Sequence, residues 1–142
     1  MYIMLFVLFF SFLCCFLLPR ENIIIFRLYG LWSSIWILIL FLILVEQDYE
    51  LLSSNWLEIL KIDLDLKIDA FSYWLILLSF LMFPICIICS WESIKKYVPE
   101  FVQCLLLLEL ILFLVFTVWD ILLFYIFFEA ILIPMFLIIG IW

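Results

Sequence analysis

One glutamate stands alone in the last apolar stretch of the sequence. Glu129 is the only charged residue in 121–142, a run of 22 residues that is long enough to cross a bilayer. A carboxylate at that depth costs several kcal/mol unless another group pairs with it, and intramembrane acids usually mark proton or ion paths. Glu129 is therefore the first candidate for proton translocation.

A second acid, Glu109, lies in the preceding apolar run, and Asp120 separates the two runs. Counted from Asp120, Glu129 is roughly 13 Å deep and Glu109 roughly 16 Å deep, both near the midplane of a core about 30 Å thick. If the two carboxylates face each other, they would resist simultaneous ionisation and could share a proton. The sequence leaves this open, and for Glu109 we favour a protonated, hydrogen-bonded structural role over proton transfer.

The surroundings of Glu129 favour a functional role. Pro134 follows five residues later, so the Ala130 carbonyl loses its helical donor and can hold water beside the carboxylate. The basic residues Lys95 and Lys96 lie roughly 20 Å away along the axis. A cation that keeps Glu129 ionised must therefore come from another polypeptide.

The composition excludes a soluble globular domain. The 142 residues are 73% hydrophobic, with a mean hydropathy of +1.50 and only 13% charged side chains, where soluble domains carry roughly a quarter. The apolar runs are continuous rather than alternating, which predicts helices instead of barrel strands. We expect an all-α integral membrane protein in contact with lipid, and no basic patch indicates nucleic acid.

The sequence offers little for a metal or disulfide site. It contains no His, and its five Cys all lie inside apolar runs, so the usual ligand sets and disulfide frameworks are missing. Cys86 and Cys89 form a CxxC pair, which we interpret as packing thiols in preference to a redox or metal site.

The pattern predicts a single transmembrane domain over residues 1–142. Its five spans are expected at about 3–18, 23–45, 70–91, 99–119 and 121–141, with a polar loop at 46–67. In that loop, residues 56–60 suit a short interfacial helix with Asn55 as N-cap, and the period-two pattern of 61–69 predicts a surface strand. Arg20, Arg27, Lys95 and Lys96 share one side of the membrane, which predicts an outside N-terminus.

The second half of the chain resembles chain 4 of the mitochondrial NADH:ubiquinone oxidoreductase, respiratory complex I. The matching stretches are FPICIICSW at 83–91, the short basic loop after it, the intervening span, and WDILLFYIFFEAILIPMFLIIGIW at 119–142. The segment FFEAILIPM is the most specific of them. Ala70 stands where the family has glycine, and residues 1–68 match only in hydropathy and order of spans.

The resemblance implies a membrane-arm subunit that takes part in proton translocation coupled to electron transfer from NADH to ubiquinone. The enzyme is then the whole complex, with FMN, iron-sulfur clusters and ubiquinone sites in other subunits and no redox centre in this chain. Glu129 aligns with a family glutamate that pairs with a lysine on a later broken helix. Asp120 matches an aspartate at the preceding turn and becomes a third candidate.

The resemblance also implies a place and a partner. The place is the mitochondrial inner membrane, and the abundance of Phe, Leu and Ile beside two Gly is typical of an AT-rich mitochondrial gene. Family members have about fourteen spans with two inverted five-helix repeats, so the chain resembles the N-terminal piece of a split antiporter-like subunit. A separate chain would complete the fold beside other membrane-arm subunits. Two alternatives stay open, a structural scaffold without proton pumping and a monovalent-cation/proton antiporter subunit.

Overall fold

The chain folds into a helical bundle with one small β-hairpin, and the computed structural model describes residues 2–17, 22–45, 52–57, 62–66 and 68–141. In chain order the elements are α1 Tyr2–Leu17, α2 Ile23–Val45, β1 Leu52–Leu57, β2 Ile62–Leu66, α3 Ala70–Ser93, α4 Val98–Thr117 and α5 Ile121–Ile141. The expected all-α membrane architecture is confirmed, since the hairpin lies between α2 and α3 and contributes no span.

The lengths of the helices suit a bilayer. Within the described residues, α2, α3, α4 and α5 are each long and apolar enough to cross a membrane. The helix α1 has 16 residues and measures about 24 Å at 1.5 Å per residue, which is shorter than a core about 30 Å thick. In lipid a helix satisfies its own backbone hydrogen bonds, so these unbroken apolar runs fold as helices. The chain is a multi-pass membrane protein.

The helix α4 forms the centre of the bundle. It packs against α1, α2, α3 and α5, and 12 of its 20 residues are buried. The helix α5, in contrast, has little buried surface, because Pro134 is its only buried residue in the described structure. Much of the α5 surface is therefore left uncovered by the described part of this chain.

A close approach and an aromatic cluster define how α2 and α4 pack. A Cβ atom built on Gly30 would lie 2.8 Å from Cγ1 of Val102, and small residues permit such contacts between membrane helices. Further along, the Phe80 ring lies 5.3 Å from that of Phe41 and 6.0 Å from that of Phe113, measured between centroids. Because these contacts follow in the same order along both helices, α2 and α4 run in the same direction.

The polar loop differs from the prediction in one part. Residues 61–69 were predicted as a strand, and β2 occupies Ile62–Leu66. The interfacial helix predicted at 56–60 is wrong in its first part, because Asn55 and Trp56 lie in β1, and 58–60 lie outside the described residues. The strand β1 pairs with β2 in antiparallel fashion, with Ser53 opposite Asp65 and an irregularity between Ser54 and Leu57. A helix of five residues could not compete, since so short a helix is marginal in water.

Arg27 ties the beginning of α2 to the end of α3. Its guanidinium donates a hydrogen bond to the Ile94 carbonyl, and its Cζ lies 5.2 Å from the centre of the Trp91 ring. This places Arg27 at the same end of the bundle as Lys95, as the charge pattern predicted. Arginine is suited to both contacts because its planar guanidinium group can donate a hydrogen bond and stack on an aromatic ring at the same time.

We expect Arg27→Ala to destabilise the chain by about 1–2 kcal/mol, the sum of a net hydrogen bond and a cation–π contact. Arg27→Lys should recover only part of the loss, because an ammonium cannot both reach the carbonyl and stack. The midpoint of thermal aggregation in detergent measures the effect. Lys95→Ala, an exposed basic residue of the same end, is the control, and equal midpoints for Ala at both positions would contradict the tether.

Candidate carboxylate site in the membrane

Asp120 is the N-cap of α5. Its Oδ1 accepts a hydrogen bond from the Leu122 amide at 3.0 Å, and its carbonyl accepts one from the Phe124 amide at 2.8 Å. The first amides of a helix lack partners within the helix, so a side-chain oxygen at this position stabilises the helix start. The structure thus gives Asp120 a structural role, and its role in proton transfer stays a prediction.

We expect Asp120→Ala to cost about 1 kcal/mol, because the cap is lost, and Asp120→Asn to cost little, because asparagine also caps. The two substitutions remove the charge equally, so they separate the effect of the cap from the effect of the charge. The midpoint of thermal aggregation in detergent is measured for both variants. An Asn variant that is as destabilised as the Ala variant would contradict the capping role.

Glu109 lies inside the bundle, on the central helix α4. Its side chain is 1% exposed, and neither carboxyl oxygen has a hydrogen-bond partner among the described residues. The hydrogen bond that we expected for a structural Glu109 thus has no partner among the described residues, and the role of Glu109 stays a prediction. The sequence could not show this, because the rotation of α4 depends on how four helices pack around it.

Glu129, in contrast to Glu109, lies on the outer surface of the bundle. It is exposed on α5, and the Tyr125 hydroxyl, one helical turn earlier, is close enough to its carboxylate to form a hydrogen bond with it. The basic residues Lys95 and Lys96 lie at the end of the bundle where α4 begins and α5 ends. About 18 Å of helix separates Glu129 from that end, which agrees with the expectation that neither lysine serves as its counter-ion.

The three candidate acids are not gathered into one cluster. Glu109 is enclosed by the helices and Glu129 faces away from them, so the two carboxylates are not hydrogen-bonded to each other. Asp120 lies roughly 13 Å along α5 from Glu129. Of the three candidates, Glu109 is buried, Glu129 is exposed, and Asp120 caps a helix.

The sequence analysis did not single out Tyr125, which lies four residues before Glu129, a spacing at which helical side chains meet. It also did not single out Ser33 and Ser34, which are buried on α2. Together with Gly30 they are small residues of the kind that membrane helices use for close contacts.

The described residues contain no group of three or more His, Cys, Asp or Glu that could hold a metal ion. All five cysteines are free, and Cys86 and Cys89 are exposed on α3. The CxxC pair therefore lies on the outer surface of the bundle and not against the acids.

Together these features define a multi-pass helical membrane protein that carries carboxylates within its spans. The geometry alone does not distinguish a transporter from a subunit of a larger machine.

The chain is similar to chain 4 of NADH-ubiquinone oxidoreductase. It is 36% identical over 132 residues to the protein of that name from Arabidopsis thaliana, covering 88% of this chain and 27% of the relative. It is 54% identical over 77 residues to the protein of the same name from Metridium senile, covering 54% of this chain and 16% of the relative. The resemblance that Phe83–Trp91 and Trp119–Trp142 carry is thereby confirmed.

A differently named relative agrees with this. The NADH-quinone oxidoreductase subunit M of Rickettsia prowazekii is 39% identical over 111 residues, covering 78% of this chain and 22% of the relative. No protein-family model matches the chain. The chain spans about a quarter or less of the length of these relatives.

Proposed function

We propose that this chain is a membrane-arm subunit of the mitochondrial NADH:ubiquinone oxidoreductase and takes part in proton translocation coupled to electron transfer from NADH to ubiquinone. The observation that carries the proposal is Glu129, held with Tyr125 on the uncovered face of α5, in a chain similar to chain 4. FMN, iron-sulfur clusters and ubiquinone sites belong to other subunits. The location is the mitochondrial inner membrane, and the gene is mitochondrial.

The chemistry of Glu129 follows from its place in the membrane. In apolar surroundings a carboxyl group favours the protonated form, whereas an approaching cation favours the carboxylate. Movement of a cation toward and away from Glu129 would therefore release and bind one proton. Glu129 is the group that holds the proton, and the Tyr125 hydroxyl keeps its carboxylate oriented.

The cation comes from further helices that cover α5. Large apolar side chains are exposed along α5, including Leu132, Ile133, Phe136 and Ile139. An exposed apolar surface that contains one acid fits a partner helix with one base, because a carboxylate that faces lipid alone is costly. We assign this helix to the part of the subunit that lies outside the region this chain matches in its relatives, beside other membrane-arm subunits and lipid.

Two methionines provide a test in the intact complex. Met135 lies on α5 and Met82 on α3, and the two side chains are 44% and 48% exposed. Photo-methionine incorporated during organelle translation should crosslink Met135 to the helices that complete the subunit, and Met82 to a different neighbour or to lipid. Lipid adducts alone at Met135 would overturn the assignment of a partner helix to this face of α5.

A structural scaffold without proton pumping is the second candidate. The observation that favours it is the Tyr125 hydrogen bond, because this bond can keep Glu129 in place as a protonated acid that never exchanges. A monovalent-cation/proton antiporter subunit is less favoured, since the relatives described above are named as oxidoreductase subunits. Proton translocation by a variant without the Glu129 carboxyl separates the scaffold from the pump.

A further inference from the structure

The helices α1 and α2 form an aromatic groove on the outer surface of the bundle. Its volume is about 550 Å³, and five of its lining side chains are aromatic, namely Phe6, Phe10, Tyr29, Trp32 and Trp36. All the described residues that line it belong to α1 and α2, although both helices also pack against α4. The aromatic groove therefore opens away from α4, and it is separate from the uncovered face of α5.

The hydroxyl groups of the aromatic groove already have partners. The Tyr29 hydroxyl donates to the Ser11 carbonyl at 2.7 Å, and the hydroxyls of Ser11 and Ser33 donate to carbonyls one turn earlier on their own helices, at 2.8 and 3.0 Å. The two indole N–H groups differ from them. Neither Trp32 nor Trp36 has a hydrogen-bond partner among the described residues, and the two side chains are 74% and 53% exposed. These N–H groups are therefore available to a molecule outside this chain.

The two tryptophans lie at an unusual depth. Arg27 marks the membrane surface at the beginning of α2, and Trp32 and Trp36 follow it by five and nine residues, or roughly 8 and 14 Å. The hydrocarbon core is about 30 Å thick, so Trp36 lies near its midplane. Tryptophan in membrane proteins is instead enriched at the two interfaces, where its polar edge lies at the headgroups. Any partner of these N–H groups must therefore lie within the hydrocarbon core.

The chemistry of the donors selects the kind of molecule that fills the aromatic groove. Acyl chains carry no hydrogen-bond acceptor, and an N–H group left unpaired among them costs free energy. A transmembrane helix can provide acceptors at this depth, because serine, threonine, asparagine and glutamine side chains form hydrogen bonds across helices. Tryptophan and tyrosine are also common anchors of protein interfaces. This complementarity between donors and acceptors favours a protein helix over a lipid.

We propose that the aromatic groove binds a transmembrane helix of a neighbouring subunit, which places a hydrogen-bond acceptor near the midplane beside Trp36. The helix belongs to a different subunit, because the remainder of this subunit is assigned to the uncovered face of α5, and α5 contributes no described residue to the groove. The inference rests on the proposed function only for the presence of a membrane complex, and it does not depend on proton transfer by Glu129.

Photo-methionine incorporated during organelle translation identifies the occupant. In Phe6→Met, the photoreactive side chain replaces a ring that lines the groove and is 67% exposed, and it should crosslink to a transmembrane peptide of another subunit. Phe9→Met makes the same change at a 52% exposed position of α1 outside the groove, and it should not crosslink to that peptide. Lipid adducts alone at position 6, or crosslinks to the remainder of the same subunit, would overturn the proposal.

Two variants of Trp36 determine whether the groove contains an acceptor. Tyrosine and phenylalanine share the same ring, but only tyrosine has a donor. Next to an acceptor, Trp36→Tyr should therefore hold the neighbouring subunit more firmly than Trp36→Phe, whereas among acyl chains the hydroxyl is unfavourable and the order reverses. We expect the neighbouring subunit to dissociate in detergent about three- to tenfold faster from Trp36→Phe complex than from wild type, with Trp36→Tyr between them. Dissociation from Trp36→Tyr complex that is as fast as from Trp36→Phe, or faster, would contradict the acceptor.

Trp74→Phe is the matched control for the loss of an indole. Trp74 is 65% exposed near the beginning of α3 and lies outside the groove, so the dissociation rate should change by less than about twofold. An effect as large as that of Trp36→Phe would show that the groove is not the interface.

A last comparison separates this interface from the proposed function. In complex that carries Glu129→Gln, the crosslink from Phe6→Met should persist whether or not proton translocation is lost, and its disappearance would contradict a groove that is independent of the α5 face. A crosslink to a transmembrane subunit of some other assembly would support the groove and count against membership in the oxidoreductase.

Discussion

Under the proposed function, complex that carries Glu129→Gln is expected to assemble normally and to translocate protons at least about tenfold more slowly, since a positioned proton acceptor contributes typically 10²–10⁴-fold to the rate. Glutamine has nearly the same shape and can still accept the hydrogen bond from Tyr125, but it cannot bind and release a proton. Quenching of a pH-sensitive dye by inside-out membrane vesicles measures translocation, and NADH oxidation is recorded in the same sample.

Two further variants serve as controls for the Glu129→Gln measurement. Glu92→Gln makes the same chemical change at an exposed position at the end of α3, and it should leave translocation unchanged. Glu129→Asp keeps an exchangeable carboxyl but retracts it by one methylene, so it should retain part of the activity. Unchanged translocation in Glu129→Gln complex, with normal assembly, would show that the chain is a scaffold and that Glu129 is a satisfied acid.

The helices could be predicted because lipid imposes a simple rule on the backbone. An apolar run of about 20 residues must be a helix whatever surrounds it, so hydropathy alone located α2, α3, α4 and α5. The hairpin obeys a different rule. Whether Trp56 lies in a helix or a strand depends on pairing with Ile62–Leu66, and the alternation of that second segment was the only sign of a partner.

The arrangement of the helices could not be predicted in the same way. An apolar helix has no polar side to mark its exposed face, because lipid and protein interior are almost equally apolar. The sequence therefore gave the depths of Glu109 and Glu129 but not their directions. The packing of four helices around α4 turns Glu109 inward and leaves Glu129 outward. The two carboxylates therefore do not face each other, although their similar depths would have allowed it.

The roles of single residues were predictable where the chemistry is local. Capping by Asp120 involves amides within four residues, and the spacing of Tyr125 and Glu129 is one helical turn. The burial of Glu109 is not local, because it depends on the helices that pack around α4.

That close approach leads to a strong prediction for packing. In Gly30→Ala, the new Cβ would lie 2.8 Å from Cγ1 of Val102 and 3.4 Å from Cδ1 of Ile87. Valine is stiff at χ1, so α2 and α4 must separate, and overpacking of this kind costs typically about 1–3 kcal/mol. We expect clearly less assembled complex on native gels, and almost none for Gly30→Leu.

Gly140→Ala is the matched control, because a Cβ there meets nothing within 4 Å and alanine is the better helix former. Adding Val102→Ala to Gly30→Ala should restore assembly, since it removes the methyl group that the new Cβ meets. Equal amounts of complex for Gly30→Ala and Gly140→Ala would show that α2 and α4 do not touch at this level.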